Sequence, residues 1–357
     1  MLRFLALGLL WSAIVAVALI GAGLGYRAWR IHGAETALAI SSPNGIDEAM
    51  FVPIGDSEQW ITIRGQDRTN PVVLLIHGGP GAAMAPFALS FLPYEQAYTV
   101  VQWDQPGAAK TFRRARGKIA PDLTIEDVAA DGIAVAEFLK THLRTEKMIL
   151  LGWSWGSIVG IEMARARPDL FAAYVGTGQV ANMQAGEAMV YSRVLAKARE
   201  QRNAQAISEL EAIGPPPYDS QAELGTQREW ASVLAGEGTP AAQIVGLLAF
   251  APHYSMGDVL SYLRGFRASE NHFVGLEMDG PLLDVDFPAT ATAFRVPIIF
   301  IQGTEDDFTP AELARVYLDQ ITAPQKAFVP IEGAGHSALI ANSEEFLAAM
   351  NELVRVR

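Results

Sequence analysis

The sequence contains no cysteine. A catalytic thiol, a cysteine-based metal site and a disulfide are therefore excluded, and the absence is compatible with either compartment of a bacterium. The chain also lacks a His-Glu-x-x-His stretch, so nothing supports a zinc hydrolase. Its glycine-rich stretches have neither the Lys-Ser/Thr of a phosphate-binding loop nor the Rossmann spacing. We therefore expect no metal ion and no organic cofactor.

Charged residues are scarce and their signs are unbalanced. They make up 18% of the chain, and the formal net charge is −12. An acidic body repels phosphate backbones, so we expect no nucleic-acid partner. The chain has 357 residues, half of them hydrophobic. That length suffices for one large α/β domain plus an inserted cap.

A long uncharged stretch, Phe4 to Gly25, lies near the amino terminus. As a helix it is long enough to cross a hydrocarbon core of ~30 Å. The run exceeds the apolar core of roughly 7 to 15 residues found in cleaved signal peptides, which favours an uncleaved membrane anchor over a signal peptide. Arg3 plus the amino terminus balance Arg27 plus Arg30, so charge leaves both orientations open. We expect the amino terminus inside and the enzyme body in the periplasm.

The most informative motif is Gly-Trp-Ser-Trp-Gly at residues 152–156, between an apolar run at 148–151 and a helix-like run at 157–167. A serine on a tight strand-to-helix turn is pushed out of the sheet edge, and the flanking glycines avoid collisions there. This arrangement is typical of a nucleophile elbow with Ser154 as the nucleophile. Because Gly-x-Ser-x-Gly also arises in ordinary turns, its weight depends on three further segments.

The first of these segments is His-Gly-Gly-Pro-Gly at residues 77–81, directly after the apolar run 71–76. A buried strand that breaks into glycines can turn backbone N–H groups toward a pocket. In an α/β-hydrolase one oxyanion-hole donor comes from this loop and one from the residue after the nucleophile, here Trp155. We assign the loop donor to Gly79, with Gly78 as the alternative. The competing interpretation is a glycine-rich turn with no catalytic role.

The other two segments supply an acid and a base. The strand-like run 296–303 is followed by Glu305, Asp306 and Asp307, and one acid is needed to orient a histidine. Acids at a strand end also serve as turns or helix caps. Of the six histidines, His336 is the one that lies past these acids at a glycine turn. The order serine, acid, histidine is that of α/β-hydrolases and differs from chymotrypsin-like and subtilisin-like chains.

Together these motifs resemble the proline iminopeptidase family of serine peptidases. The resemblance rests on residues 77–81, on Trp-Asp-Gln at 103–105 with Gly107, and on residues 152–157. It runs from about Phe51 to the carboxyl terminus. It implies an α/β-hydrolase fold with a helical cap.

The resemblance also selects the acid. In that family the acid stands three residues after the strand-end glycine and four before a proline. Asp306 meets both spacings, counted from Gly303 and to Pro310, whereas Asp307 meets neither. The implied catalytic triad is Ser154, Asp306 and His336.

Family members bind the free amino group of the substrate through glutamates of the cap, one of them in a Glu-Asn-His-Tyr-Phe-like stretch. This chain has Glu-Asn-His-Phe at residues 270–273, so the resemblance implies that Glu270 binds substrate. Ala235 stands in place of a second family glutamate, and Pro106 stands where family members tend to have arginine. These departures leave the hydrolase interpretation intact and leave strict proline specificity open.

The order of segments predicts an α/β fold. Alternating strands and helices indicate a mostly parallel sheet with helices on both faces. Leu123 to Leu143 has helical spacing with Thr124 as N-cap and Asp127 in the first turn. A polar linker is expected from Gly33 to Asn44.

The expected division of the chain has four parts. They are a membrane anchor at 1–32, a first part of the hydrolase core at 45–176, an inserted helical cap at 177–288, and a second part of the core at 289–357. The cap contains five aromatic residues expected to line a substrate cleft or to form the core of the cap, namely Trp230, Phe250, Tyr254, Tyr262 and Phe266. A cap inserted at the carboxyl ends of the strands lies over the elbow.

The sequence therefore predicts a membrane-anchored serine hydrolase that transfers an acyl group of a small peptide or ester through a covalent intermediate. The favoured activity is that of an aminopeptidase of the proline iminopeptidase type, releasing N-terminal residues from peptides. An esterase or amidase for small hydrophobic acyl groups is the alternative, and an inactive membrane-tethered binding protein is a rival from another class. Because fold analogy does not fix substrate, these alternatives remain open. A serine at the elbow excludes the carboxylate-nucleophile chemistry of dehalogenases.

Overall fold

The fold is built on one mixed sheet flanked by helices. A computed structural model describes residues 2–236 and 241–354. Its strands are β1 (Ile46–Ile54), β2 (Ser57–Gly65), β3 (Val72–Ile76), β4 (Thr99–Trp103), β5 (Met148–Trp153), β6 (Phe171–Thr177), β7 (Ile298–Gly303) and β8 (Lys326–Ile331). Its α-helices are α1 (Leu2–Ala37), α2 (Leu92–Glu95), α3 (Ala109–Arg114), α4 (Ile125–His142), α5 (Trp155–Ala166), α6 (Met183–Glu200), α7 (Ala204–Ile213), α8 (Gln221–Ala235), α9 (Ala241–Ala249), α10 (Met256–Phe273), α11 (Phe287–Thr290), α12 (Ala311–Gln320), α13 (Ala338–Ala341) and α14 (Ser343–Leu353).

The sheet is mostly parallel, as the sequence predicts. In the described residues its strand order is β1-β2-β4-β3-β5-β6-β7-β8. The β1–β2 and β2–β4 pairs are antiparallel, and all later pairs are parallel. Parallel strands bring their carboxyl ends to one edge, so the loops after β3, β5, β7 and β8 meet there. These loops carry the four motifs found in the sequence.

The central strands are apolar because both faces of the sheet are covered. Every residue of β3 is buried. Neighbouring residues point to opposite faces, so Leu74 and Leu150 belong to one hydrophobic cluster, and Val73 and Ile149 belong to another. Continuous apolar runs are typical of such doubly covered parallel strands.

The helix predicted between Leu123 and Leu143 is confirmed as α4. The Thr124 hydroxyl accepts from the Asp127 N–H at 3.0 Å, and the Asp127 carboxylate accepts from the Thr124 N–H at 2.9 Å. This capping box satisfies amides that would otherwise lack partners at the first turn. The sequence signal for this helix is the pair Thr124 and Asp127, and α4 begins directly after Thr124.

Helices α6 to α10 follow β6 and precede β7. Helix α10 packs closely on α3 and on the turn before it. A Cβ at Gly265 would lie 2.5 Å from the backbone oxygen of Gly107 and 3.1 Å from the ring of Phe112. Ser269, one turn further along α10, donates to the same oxygen at 3.2 Å. The cap helices α6, α7 and α8 have an apolar cluster of their own, which includes Val190, Val194, Leu210 and Ala231.

The amino-terminal part of the chain differs from expectation in two places. Helix α1 continues to Ala37, so the expected linker from Gly33 starts as helix. Its last turn contains Ala34, Glu35 and Ala37, which favour helix. Residues 46–54 form β1, which pairs along its length with β2 and was not predicted as a strand from the sequence. Within the described residues, the part of α1 at Ile14–Ala37 contains an 18-residue stretch apolar enough for a candidate membrane span.

Candidate active site

Ser154 occupies the turn between β5 and α5 in a backbone conformation that non-glycine residues rarely adopt, with φ 55° and ψ −122°. A Cβ at Gly156 would lie 1.9 Å from the backbone oxygen of Ile76, and one at Gly152 would lie 2.7 Å from that of Gly156. The Ser154 N–H donates to the Thr177 carbonyl on β6 at 3.0 Å. The turn thus requires glycines on both sides and presents the serine at the strand end, as a nucleophile elbow does.

Asp306 is fully buried and holds the ring of His336. The distances from His336 Nδ1 to its Oδ2 and Oδ1 are 2.9 and 3.1 Å. The N–H groups of Phe308 and Thr309 donate to Oδ1, each at 2.8 Å, and Gln302 Nε2 donates to Oδ2 at 3.1 Å. Burial acts to raise the pKa of Asp306, but the charge and hydrogen bond of His336, aided by Thr309, lower it overall. An ionised acid on Nδ1 leaves Nε2 as the nitrogen that exchanges a proton.

The three consecutive acids after β7 have separate environments. Glu305 is exposed, Asp306 contacts His336, and Asp307 pairs with Lys197 Nζ of α6 at 2.6 Å. Asp307 therefore joins the cap to the core. This separation supports Asp306 as the acid, in agreement with the spacing that the family resemblance implies.

The glycine loop after β3 passes directly beside the elbow. A Cβ at Gly78 would lie 3.2 Å from the Ser154 Cβ. Gly79 has φ +119°, and a Cβ there would lie 2.6 Å from the nitrogen of Gly81. Bare backbone therefore approaches the serine, with its N–H groups unobstructed by side chains. Trp155 begins α5, and the first N–H groups of a helix lack intrahelical acceptors.

Gln105 fixes the position of this loop, a role that the sequence reasoning did not assign. Its Nε2 donates to the His77 carbonyl at 3.0 Å, and its Oε1 accepts from Trp155 Nε1 at 2.9 Å. Burial lowers the pKa of His77 to about 4, so this histidine is neutral near pH 7. Gln105 thus joins the loop after β3 to the Trp155 side chain, whereas the sequence showed it only as part of the motif at 103–105.

A cleft of about 480 Å³ opens beside Ser154 and His336. Its polar lining from the cap consists of Gln221, Arg228 and Glu270. Most of the remaining cap lining is apolar and includes Met183, Leu224, Phe266, Val274, Leu282 and Leu283. Five cap aromatics were expected at a cleft or in the cap core. Among the described lining residues of this cleft, Phe266 is the one that belongs to that set. Within the described parts of the chain, no three His, Asp or Glu side chains are grouped as metal ligands.

Glu270 is half-buried in this cleft. Burial raises its pKa, and the charges of Arg228 and Arg267 act in the opposite direction. Arg228 itself is paired with the buried Glu187 of α6, to which Gln227 also donates at 2.6 Å. Within residues 2–236 and 241–354, no side chain donates a hydrogen bond to the Glu270 carboxylate. The pairing of Arg228 crosses between two cap helices, so the sequence had no local signal for it.

The chain is similar to known hydrolases and aminopeptidases. The sequence profile of the α/β-hydrolase fold matches residues 71–343. The chain is 29% identical over 308 residues to the probable aminopeptidase YbaC of Bacillus subtilis, covering 85% of this chain and 94% of that one. It is 27% identical over 324 residues to a probable proline iminopeptidase of Streptomyces coelicolor, with coverages of 85% and 94%. The resemblance to proline iminopeptidases is thereby confirmed.

A solved structure shares the fold over the whole chain. The structure described as a bacterial membrane phospholipase A superposes with a TM-score of 0.61 at 17% identity, covering 100% of both chains. At this identity the likeness concerns the fold alone.

Proposed function

This chain belongs to the α/β-hydrolase fold family and is a hydrolase, and we propose that it is a serine aminopeptidase that releases N-terminal residues from small peptides. The observation that carries the proposal is the Glu270 carboxylate, which lines the cleft of Ser154 and His336 and receives no hydrogen bond from a described side chain. A substrate ammonium group supplies the missing partner. The names of the relatives, aminopeptidase and proline iminopeptidase, agree with this proposal.

The proposed mechanism is acyl transfer in two halves. His336 takes the proton of Ser154 as the serine oxygen attacks the scissile carbonyl, while Asp306 holds the ring and stabilises the imidazolium. The N–H groups of Gly79 and Trp155 bind the oxyanion, with Gly78 as the alternative loop donor. His336 then protonates the leaving amine, and a water molecule repeats the sequence to release the free acid.

Glu270 determines which amide is cleaved. A carboxylate in a partly dehydrated cleft attracts an ammonium group more strongly than one in open water, because the effective dielectric is lower. If the ammonium of the first residue binds Glu270, the first peptide bond lies at Ser154. Burial raises the pKa of Glu270, and the positive charges of Arg228 and Arg267 limit that rise.

A second candidate activity is hydrolysis of small hydrophobic esters or amides. It is favoured by the apolar lining of the cleft, such as Leu224, Phe266 and Leu283. An acyl chain fits such a surface without any need for Glu270. The two candidates therefore differ in whether the free amino group of the substrate matters.

Arylamides with and without that amino group distinguish them. Proline-, alanine- and leucine-arylamides are compared with their N-acetyl forms and with short acyl esters. The proposal predicts hydrolysis of the free amines and loss of activity on acetylation, and equal or better turnover of the acetylated forms and esters favours the second candidate. Ser154→Ala is the control, with an expected loss of about 10⁴- to 10⁶-fold in turnover.

Helix α1 is, in this proposal, an uncleaved membrane anchor with the catalytic body in the periplasm. Arg27 Nε donates to the Ala249 carbonyl of the cap at 2.9 Å, and a second nitrogen of the same guanidinium donates to the Tyr254 carbonyl. The Tyr26 ring meets Phe250 edge-on with centroids 5.6 Å apart. Contacts of this kind between α1 and the folded body are consistent with a helix that is retained.

A further inference from the structure

The contact between α1 and the cap relates the position of the cap segment from Ala249 to Tyr254 to that of the proposed membrane anchor. Arg27 is the first charged residue after the uncharged run Phe4 to Gly25, and its guanidinium bonds the carbonyls of Ala249 and Tyr254. At a rise of about 1.5 Å per residue, Arg27 lies about 3 Å beyond the end of that run. If α1 spans a membrane, the segment that Arg27 holds lies at the boundary between hydrocarbon and headgroups.

Exposed apolar side chains follow this segment directly in the chain. They are Met256, Leu260 and Leu263 of α10, with exposed fractions of 56, 47 and 42%, and we name them the cap apolar face. Met256 follows Tyr254, whose carbonyl Arg27 binds, by two residues.

The three residues of α10 form one stripe. Met256, Leu260 and Leu263 are spaced i, i+4 and i+7, which places them on one side of a helix. The opposite side of α10 is the one that packs on the core, through Gly265 and Ser269. Exposed apolar residues scattered singly are ordinary, but a stripe next to the segment that Arg27 of α1 binds indicates an interaction surface.

The charges of α10 fit an anionic lipid surface. Its exposed charged residues are Arg264 and Arg267. Of its two acids, Asp258 is buried against Arg113 at 2.8 Å, and Glu270 lines the catalytic cleft. The chain as a whole carries −12, so this positive helix surface contrasts with the rest of the protein. Apolar residues bordered by arginines are typical of surfaces that lie in the headgroup region.

We propose that the cap apolar face rests in the headgroup region of the membrane that α1 spans, in contact with anionic phospholipid. This inference depends on the proposed anchor. It assigns α10 two environments, since Met256, Leu260 and Leu263 contact lipid while Phe266 and Glu270 line the catalytic cleft. The cleft is then held close to the membrane surface.

Because the chain has no cysteine, one introduced thiol can report on one position. Leu260→Cys in the full chain is labelled with the environment-sensitive dye NBD and reconstituted into vesicles of phosphatidylethanolamine and phosphatidylglycerol. Ser208→Cys is the matched control, since Ser208 is an exposed residue of α7 in the same cap. Phospholipids with a nitroxide near the headgroup quench dye that lies at the lipid surface.

We expect a blue-shifted emission and several-fold stronger nitroxide quenching at position 260 than at position 208. Equal, water-like signals at both positions in protein that floats with the vesicles overturn the inference and leave the anchor standing. Failure to float overturns the anchor and the inference together. A blue shift at position 260 without nitroxide quenching, retained in detergent, identifies a second copy of the chain as the partner and also overturns the inference.

Discussion

His336 Nδ1 lies 2.9 Å from Oδ2 of Asp306, whereas the adjacent Asp307 is paired with Lys197 of the cap. Asp306→Asn should therefore lower kcat by about 10⁴-fold, because the amide no longer holds the productive tautomer of the ring. Asp307→Asn loses only a partly exposed ion pair and should leave kcat within a few-fold of wild type. Steady-state kinetics on one arylamide tests both variants, and the reverse ranking would move the acid by one residue.

Gly156 of the elbow and Gly186 of α6 give a paired prediction about the free energy of unfolding. A Cβ at Gly156 meets the Ile76 backbone at 1.9 Å, whereas one at Gly186 of α6 meets nothing within 4 Å. Gly156→Ala should cost at least about 4 kcal/mol or prevent folding, since backbone must move. Gly186→Ala should stabilise by roughly 0.5 to 1 kcal/mol, as expected for alanine in a helix. Thermal unfolding in detergent measures both, and a well-folded Gly156→Ala enzyme would disprove the elbow packing.

The buried carboxyl group of Asp104 makes the stability of the fold depend on pH. Burial raises its pKa to about 7, against the opposing hydrogen bonds from the Lys110 N–H and the Tyr254 hydroxyl. The pKa of an aspartate in the unfolded chain is near 3.9. Between that pH and about pH 7, Asp104 carries a proton in the folded state but not in the unfolded state, so the free energy of unfolding decreases as pH rises. Asp104→Asn cannot ionise. Its melting temperature relative to wild type should therefore increase from about pH 5 to about pH 8, and a constant difference would contradict this account.

The anchor makes a prediction about fractionation. Full-length protein should remain in the membrane fraction after washing at high salt, because buried apolar surface is insensitive to ionic strength. Its mass should include the residues before Arg27. Recovery of a soluble product that begins between Gly25 and Ile40 would instead identify a cleaved signal peptide.

The sequence was sufficient for the fold class and for the residues of the elbow. Ser154 is flanked by glycines at fixed spacing, and the buried strands are unbroken apolar runs, so both patterns lie within short windows of the sequence. Strand β1 had no such signal, because Asp47, Glu48 and Pro53 interrupt its pattern and its stability derives from pairing with β2. Edge strands of this kind are specified by their neighbours.

The cap could be predicted in outline only. Glu270 came from the family resemblance, and its position in the cleft depends on how α10 packs on α3. The ion pair between Arg228 and Glu187 joins residues 41 positions apart, and the contact of Arg27 with Tyr254 joins residues 227 apart. Such contacts arise from tertiary packing, for which a single sequence gives no pattern.

The most direct test of the aminopeptidase proposal is the ratio of kcat/KM for a free-amine arylamide to that for a short acyl ester, measured in Glu270→Gln. Glu277→Gln, at an exposed position of the cap, is the matched control. Loss of the partner of a buried ammonium costs ~3 kcal/mol at the low end of the usual range, so the ratio should fall about 10²-fold while ester hydrolysis is retained. If both activities fall together, or neither falls, Glu270 does not bind the substrate amine and the aminopeptidase proposal is wrong.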